Sequence, residues 1–339
     1  MRCLRSLIVL LILAVVATVA TAQEPGKKLR VGIIGLDTSH VVAFTKAIKN
    51  PEAAEALRTL DIVAGFPGGS PDIPDSADRV EKFTEQLRDM GVEIVDSIDA
   101  LLPKVDAVLL ESVDGRPHLA QARPVIKAGK PLFIDKPIAG SLADAIEIFD
   151  LAASAKVPVF SSSSLRFAEG VQAVRNNPKF GEVKGCDAFG PCSLEPHHPD
   201  LFWYGVHGCE TLFTIMGTGC KQVTRVQSAD TEFAVGLWND ERIGTFRGVR
   251  GYSAGYGANV YGSKSSGPAE IKVSYELLLV EIAKFFQSGK PPVSAEETIE
   301  LFAFMEAADE SKRQGGKPVL LETVLAKARS QVAERTSAK

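Results

Sequence analysis

Cysteine, histidine and tryptophan are scarce in this 339-residue chain, with five Cys, five His and two Trp. Cys3 falls in an N-terminal leader, so Cys186, Cys192, Cys209 and Cys220 remain, at spacings that match no zinc-ligand motif. Four cysteines in an exported chain allow three disulfide pairings; buried free thiols are the expectation. No apolar run reaches the roughly 20 residues of a membrane span. Basic runs, internal repeats and low-complexity segments are also missing, which argues against nucleic acid and anionic membrane as partners.

What is present begins with a leader. Arg2 and Arg5 precede the apolar stretch Leu7–Val19, and Ala20-Thr21-Ala22 reads as a cleavage site before Gln23. Residues 1–22 are therefore expected to be a signal peptide, and the mature protein to be periplasmic or secreted. Its removal takes two of 38 basic residues and none of 42 acidic ones, leaving a net charge of −6. The remaining length and the 45% apolar content suit two domains with separate cores.

From Leu29 the chain alternates short β-rich runs with stretches of helical spacing. The runs are Arg30–Ile34, Asp61–Phe66, Val92–Val95, Asp106–Glu111, Pro131–Asp135 and Pro158–Ser161. That alternation predicts a doubly wound parallel sheet over residues 28–164. Beyond it, Val183–Phe189, Gln222–Ser228, Glu232–Trp238, Arg242–Arg250 and Ala258–Tyr261 read as strands joined by short turns. They predict a mostly antiparallel open sheet in an α+β domain over residues 165–333. Two helices are expected after it, the second opened by a capping box at Ser294/Glu297, and Glu334–Lys339 is expected to fray.

The first strand runs into Gly35-Leu36-Asp37-Thr38-Ser39-His40, where a dinucleotide fingerprint belongs. Gly35 matches the first glycine; Asp37 and His40 replace the second and third. A carboxylate near two phosphate charges costs about 1 kcal/mol per pair in water-like surroundings and about 4 when partly buried, unless it turns away or is neutralised. The acid expected after the second strand is replaced by Phe66-Pro67-Gly68-Gly69-Ser70. Thr38 and Ser39 offer hydroxyls at the helix start, for a phosphate or as simple caps.

The stretch Gly129–Ala145, GKPLFIDKPIAGSLADA, presents Lys136 at the carboxyl end of a strand, where open α/β sheets bind ligands. It resembles the glycine–lysine and glutamate–lysine–proline signature of the Gfo/Idh/MocA family of nicotinamide-dependent sugar oxidoreductases, with Asp135 replacing the glutamate. The resemblance implies NAD or NADP as cofactor and a saccharide or polyol as substrate. It implies nucleotide contacts at Gly35, Asp37, Thr38, Ser39, His40, Ser112, Asp114, His118, Asp135 and Lys136. The segment Trp203-Tyr204-Gly205-Val206-His207-Gly208-Cys209-Glu210 resembles the family's segment around its catalytic histidine. Catalysis is thereby expected from Lys136 and His207, and substrate contacts from Arg166, Trp203, Tyr204, His207 and Glu210. A structural role for His118, and a domain-joining salt bridge for Arg166, are the alternatives.

No metal site is predicted; Pro196-His197-His198-Pro199-Asp200 with His207 and Glu210 comes nearest to one. The resemblance also implies association between copies through the second sheet. Because free nucleotide is scarce outside the cytoplasm, the expected enzyme holds its nucleotide tightly and recycles it in place. Redox-neutral glycoside cleavage is one form of that chemistry. The alternative reading is a non-catalytic saccharide-binding protein on the same scaffold, its nucleotide binding lost.

Overall fold

The computed structural model describes residues 27–175, 177–251 and 255–337; the expected leader lies outside them. Six strands form one parallel sheet: β1 (Leu29–Ile34), β2 (Leu60–Phe66), β3 (Glu93–Ile94), β4 (Ala107–Leu110), β5 (Leu132–Ile134) and β6 (Val159–Ser161). Their order is β3-β2-β1-β4-β5-β6, so the chain reverses direction across the sheet between β1 and β4. Strands covered on both faces have no solvent side to keep polar, and β4, Ala-Val-Leu-Leu, is buried at every position. The crossovers are α1 (Ser39–Lys49), α2 (Pro74–Ala77), α3 (Val80–Asp89), α4 (Ile98–Leu101), α5 (His118–Lys127) and α6 (Leu142–Ala155). Ser141 caps α6 by accepting from the Asp144 amide at 3.1 Å, satisfying a backbone donor that has no partner within the helix.

After α7 (Glu169–Arg175) comes a second, mixed sheet. Its strands are β7 (Val183–Pro191), β8 (Cys220–Gln227), β9 (Thr231–Trp238), β10 (Ile243–Val249), β11 (Gly257–Gly262), β12 (Ser266–Glu270) and β13 (Val319–Leu320). The order is β12-β11-β7-β10-β9-β8-β13, with only the β7–β10 pair parallel. In β9, Glu232, Ala234, Gly236 and Trp238 are buried and alternate with half-exposed residues, the pattern of a sheet covered on one side. The covering helices include α8 (Val206–Met216), α10 (Ala295–Arg313) and α11 (Leu321–Ser337). Ser294 caps α10 through the Glu297 amide at 3.1 Å.

The fold differs from the sequence pattern in three places. β12 escapes notice because Ser-Gly-Pro-Ala-Glu holds no β-branched or aromatic residue. α11 buries only Leu321, Val324 and Ala328, too few for a clear stripe, and it carries the chain in helix through Ser337 where fraying is expected. Finally, α9 (Tyr275–Ser288) leaves the second sheet and packs on the first. Its Leu278, Leu279, Ile282, Phe285 and Phe286 share a core with Val31, Ile33, Phe133 and Phe160. The last part of the chain thus clamps the two layers together. Cys186, Cys192, Cys209 and Cys220 are all buried and unpaired.

Candidate active site

A cleft of about 160 Å³ lies between the carboxyl edge of the parallel sheet and the helix side of the second sheet. By the same measure a water molecule takes about 10–15 Å³, so the space suits one sugar ring or cyclitol. Lys136, placed by β5, and His207, placed by α8, line it from opposite sides. A wide helical turn, Leu201–Gly205, feeds α8 and delivers Trp203 and Tyr204 to the same wall. The Lys136 ammonium stands 5.7 Å from the Tyr204 ring centre.

Around His207, Tyr204 and Tyr256 set their ring edges at centroid distances of 5.6 Å. Ser163 Oγ lies 2.7 Å from His207 Nδ1 and also accepts from the Leu165 amide at 3.2 Å. The other ring nitrogen has no protein partner among the described residues. Burial, and then the Lys136 charge, push the imidazole well below its usual pKa, so it is neutral at neutral pH. A neutral imidazole facing a sugar-sized space, with an ammonium on the opposite wall, is equipped to take a hydroxyl proton.

His118 provides the contrast. It is fully buried, with Nε2 2.9 Å from the Ser112 carbonyl and Nδ1 3.2 Å from the Ile138 carbonyl. Burial pushes its pKa down, so the neutral ring donates its single N–H to one of these carbonyls; it packs between the end of β4 and the loop after Lys136 and does not line the cleft. Ser112 is likewise engaged, its hydroxyl donating to Gln121 Oε1 at 3.0 Å. Asp114 accepts from Ser70 Oγ at 2.6 Å and from Arg116, and lies 3.0 Å from His198 Nε2. Among the described residues, His118, Ser112 and Asp114 thus have partners within this chain, a structural role beside the nucleotide contact expected of them.

Arg166 and Glu210, expected to touch substrate, are both buried, and Arg166 pairs with Glu210 and, at 2.6 Å, with Glu297, all within residues 165–333. Glu210 also accepts from Ser162 Oγ at 3.1 Å. Neither lines the cleft. Trp203 sits between two roles: it borders the cleft and packs in a small core with Ile73 and Val113. His198, tilted against Trp203 at 4.8 Å, is buried, while His197 pairs with Glu195 at the surface.

At the glycine turn, Gly35 has φ +83° and faces Ser112 so closely that a Cβ would meet Ser112 N at 2.4 Å. A side chain there is excluded twice. Asp37 turns inward, accepting from Ser76 Oγ at 2.6 Å and from the Val113 amide at 2.9 Å. Burial raises its pKa and outweighs these bonds. The inward orientation relieves the repulsion expected between Asp37 and a phosphate. Thr38 stands at the N-cap of α1 without capping it, and its hydroxyl is buried with no partner. The helix start therefore retains free donors where a phosphate is expected, and this end of the crevice fits a nucleotide.

The adjoining end does not stand open. The Leu36 amide donates to the Pro67 carbonyl at 2.7 Å, and Ile73 and Ser76 are fully buried beneath the loop after β2. Arg116 straps that loop down through Asp72 and Asp114. A nucleotide reaching across the end of β2 has to displace this segment.

Several residues in the cleft or just behind it carry little signal in the sequence. Ser163 belongs to the run Ser161–Ser164 closing the last parallel strand, and that run was its only signal. Tyr256 and Tyr275 line the cleft from a loop and from the start of α9; no periodicity marks Tyr256, and the apolar helical face that Tyr275 opens points to core. Glu111 ends the apolar run of β4, an acid where burial is expected.

Residues 29–163 match the model of the oxidoreductase family with the NAD-binding Rossmann fold, GFO_IDH_MocA. Among curated proteins none matches the sequence. Solved structures similar in fold include a putative myo-inositol dehydrogenase from Sinorhizobium meliloti 1021, at 17% identity and TM-score 0.72, covering 87% of this chain and 100% of that one. A probable dehydrogenase from Thermotoga maritima aligns at 21% identity and TM-score 0.71 with the same coverage. Scyllo-inositol dehydrogenase from Lactobacillus casei, solved with NAD(H) and scyllo-inositol, aligns at 14% identity and TM-score 0.69 over 87% and 100% of the two chains. At these identities the likeness establishes the fold.

Proposed function

We propose, from the match of residues 29–163 to the GFO_IDH_MocA oxidoreductase family model, an exported NAD(P)-dependent dehydrogenase acting on a saccharide or polyol hydroxyl. The observation that carries this reading is the placement of Lys136 and His207, one from each domain, on a single sugar-sized cleft. The structural neighbour solved with scyllo-inositol supports the substrate class, and the leader at residues 1–22 supports export.

The turn Gly35–His40 and the N-terminus of α1 would hold the nucleotide phosphates, with Thr38 Oγ1 supplying a hydroxyl contact. The nucleotide, when bound, accepts a hydride from the substrate carbon or returns one. The remaining work falls to this chain. His207, with Nδ1–H donated to Ser163, leaves the lone pair of Nε2 free to receive the hydroxyl proton. Lys136 stabilises the developing alkoxide charge across the cleft. The Tyr204, Tyr256 and Tyr275 faces bind the apolar edges of a ring and exclude water. In an exported protein, tight retention of nucleotide and return of the hydride within one site keep turnover going.

A second reading, saccharide binding without turnover, is favoured by one observation: the loop after β2 lies over the nucleotide crevice. Mixing the purified protein with cyclitols and sugars, with NAD or NADP added where the protein is empty, decides between them when both nucleotide absorbance and sugar products by mass spectrometry are followed. The dehydrogenase reading expects, with at least one of them, nucleotide reduced on the protein or a sugar converted to product. Calorimetric sugar binding with neither change supports the second reading instead.

A further inference from the structure

We propose that His40, Glu111 and Asp135 form a divalent-cation site on the floor of the interdomain cleft. The topology brings them together: β1, β4 and β5 are neighbours in the sheet, and the three residues follow their carboxyl ends. His40 Nδ1 lies 2.8 Å from Asp135 Oδ2 and 3.8 Å from Glu111 Oε2. One donor atom from each residue falls within 4.8 Å of the other two. In a tetrahedral zinc site with bonds of about 2.0–2.2 Å, donors stand about 3.3–3.5 Å apart. The two histidine distances bracket that value, so small side-chain rotations complete the site.

Glu111 supplies the independent observation. Its side chain is fully buried, and neither carboxylate oxygen has a hydrogen-bond partner. Asp135 at least bonds to His40; Glu111 shares the cavity with that second carboxylate and bonds to nothing. As placed, neither oxygen of Glu111 reaches an acceptor, so protonation without a turn of the side chain toward Asp135 leaves the cost of burial in place. A cation satisfies the charge and the lone pairs together. Lys136 contributes positive charge nearby but makes no bond to Glu111, and its ammonium stands over Tyr204.

His40 is set for this role by packing. It stacks on Phe44 at 5.3 Å and meets the edge of Tyr275 at 4.7 Å, which fixes the ring with Nδ1 toward the carboxylates. One nitrogen and two oxygens suit Zn²⁺ or Mn²⁺ better than a purely oxygen-seeking ion such as Ca²⁺. Because His40 borders the cleft, a hydroxyl or carboxylate oxygen of a ligand bound there would complete the coordination.

The test is calorimetry with ZnCl₂ and with MnCl₂ on chelator-stripped full-length protein, beside Glu111→Gln, His40→Phe and His197→Ala. His40→Phe keeps the ring stack and removes the donor; His197→Ala removes a surface histidine near Glu195 and Asp72. The expected result is 1:1 binding of at least one ion with Kd of about 10 μM or tighter, weakened about tenfold or more by each of the first two substitutions and unchanged by the third. The ion should also raise the thermal midpoint of the wild type and leave that of His40→Phe unmoved. Absence of 1:1 binding at about 100 μM of either ion, or equal affinity in a folded Glu111→Gln or His40→Phe protein, overturns the site. Nucleotide plays no part in the measurement, so the outcome stands whichever way the redox reading falls.

Discussion

The two ends of one crevice are built in opposite ways. Past β1 and β2 the chain fills its own groove: Asp37 turns inward, Ser76 and Ile73 are sealed beneath the loop, and Arg116 straps it down. Past β5 and β6 it holds a cavity open, with Lys136, His207 and three tyrosines around a space of about 160 Å³. The closed end satisfies most of its polar atoms internally, whereas among the described residues the open end leaves an imidazole nitrogen, an ammonium and the Glu111 carboxylate without protein hydrogen bonds. Stability is concentrated where the groups are satisfied, and chemistry where they are not.

Removing the open end's cation should have the largest effect. Lys136→Met is expected to lower kcat by about 10³-fold with circular dichroism unchanged; near-wild-type turnover would remove Lys136 from the mechanism. His207→Asn is expected to cost about 10²-fold. Because the folded-state pKa of His207 is depressed, its base form persists to acidic pH. The acid limb of the kcat profile should therefore lie below pH 6.5, the ordinary histidine value, and vanish in the mutant.

Perturbing the closed end should give smaller changes of another kind. Asp37→Gly is expected to tighten nucleotide binding about tenfold while lowering stability by about 1–3 kcal/mol, since Ser76 and the Val113 amide lose their acceptor. Titration calorimetry and urea unfolding report the two effects separately. His118→Ala should cost about 1–3 kcal/mol in the same unfolding experiment, with KM little changed, whereas His207→Asn should leave stability nearly intact. The smallest effect concerns Asp114. Burial pushes its pKa up, but hydrogen bonds from His198, Arg116 and Ser70 outweigh that and hold it well below the carboxylate range. Its stabilisation is full above the unfolded-state pKa of about 4 and fades as pH falls below it, so the urea midpoint should drop on acidification, less steeply in Asp114→Asn.

The sequence made the open end partly legible. Lys136 was legible because its signal is local: an apolar strand, a lysine and a proline in sequence. His207 is legible only through the resemblance of its segment, Trp203 to Glu210, to the family's histidine segment. Ser163, Tyr256, Tyr275 and Glu111 come from four separate elements, and only tertiary packing joins them. Glu210 shows the limit of local geometry. Its i, i+3 spacing to His207 puts both on one side of α8, yet a buried guanidinium at Arg166 is a stronger partner than an open cleft. Asp37 posed a problem that charge arithmetic could state, but its solution lay in Ser76, a residue 39 positions away.

The account stands most directly on whether the crevice holds nucleotide despite its covered end. Protein purified from the exported fraction should be denatured and its released small molecules measured by mass spectrometry. The account predicts NAD(H) or NADP(H) in stoichiometric amount. An empty protein that also binds neither nucleotide by calorimetry would contradict it and leave the cleft as a saccharide-binding site.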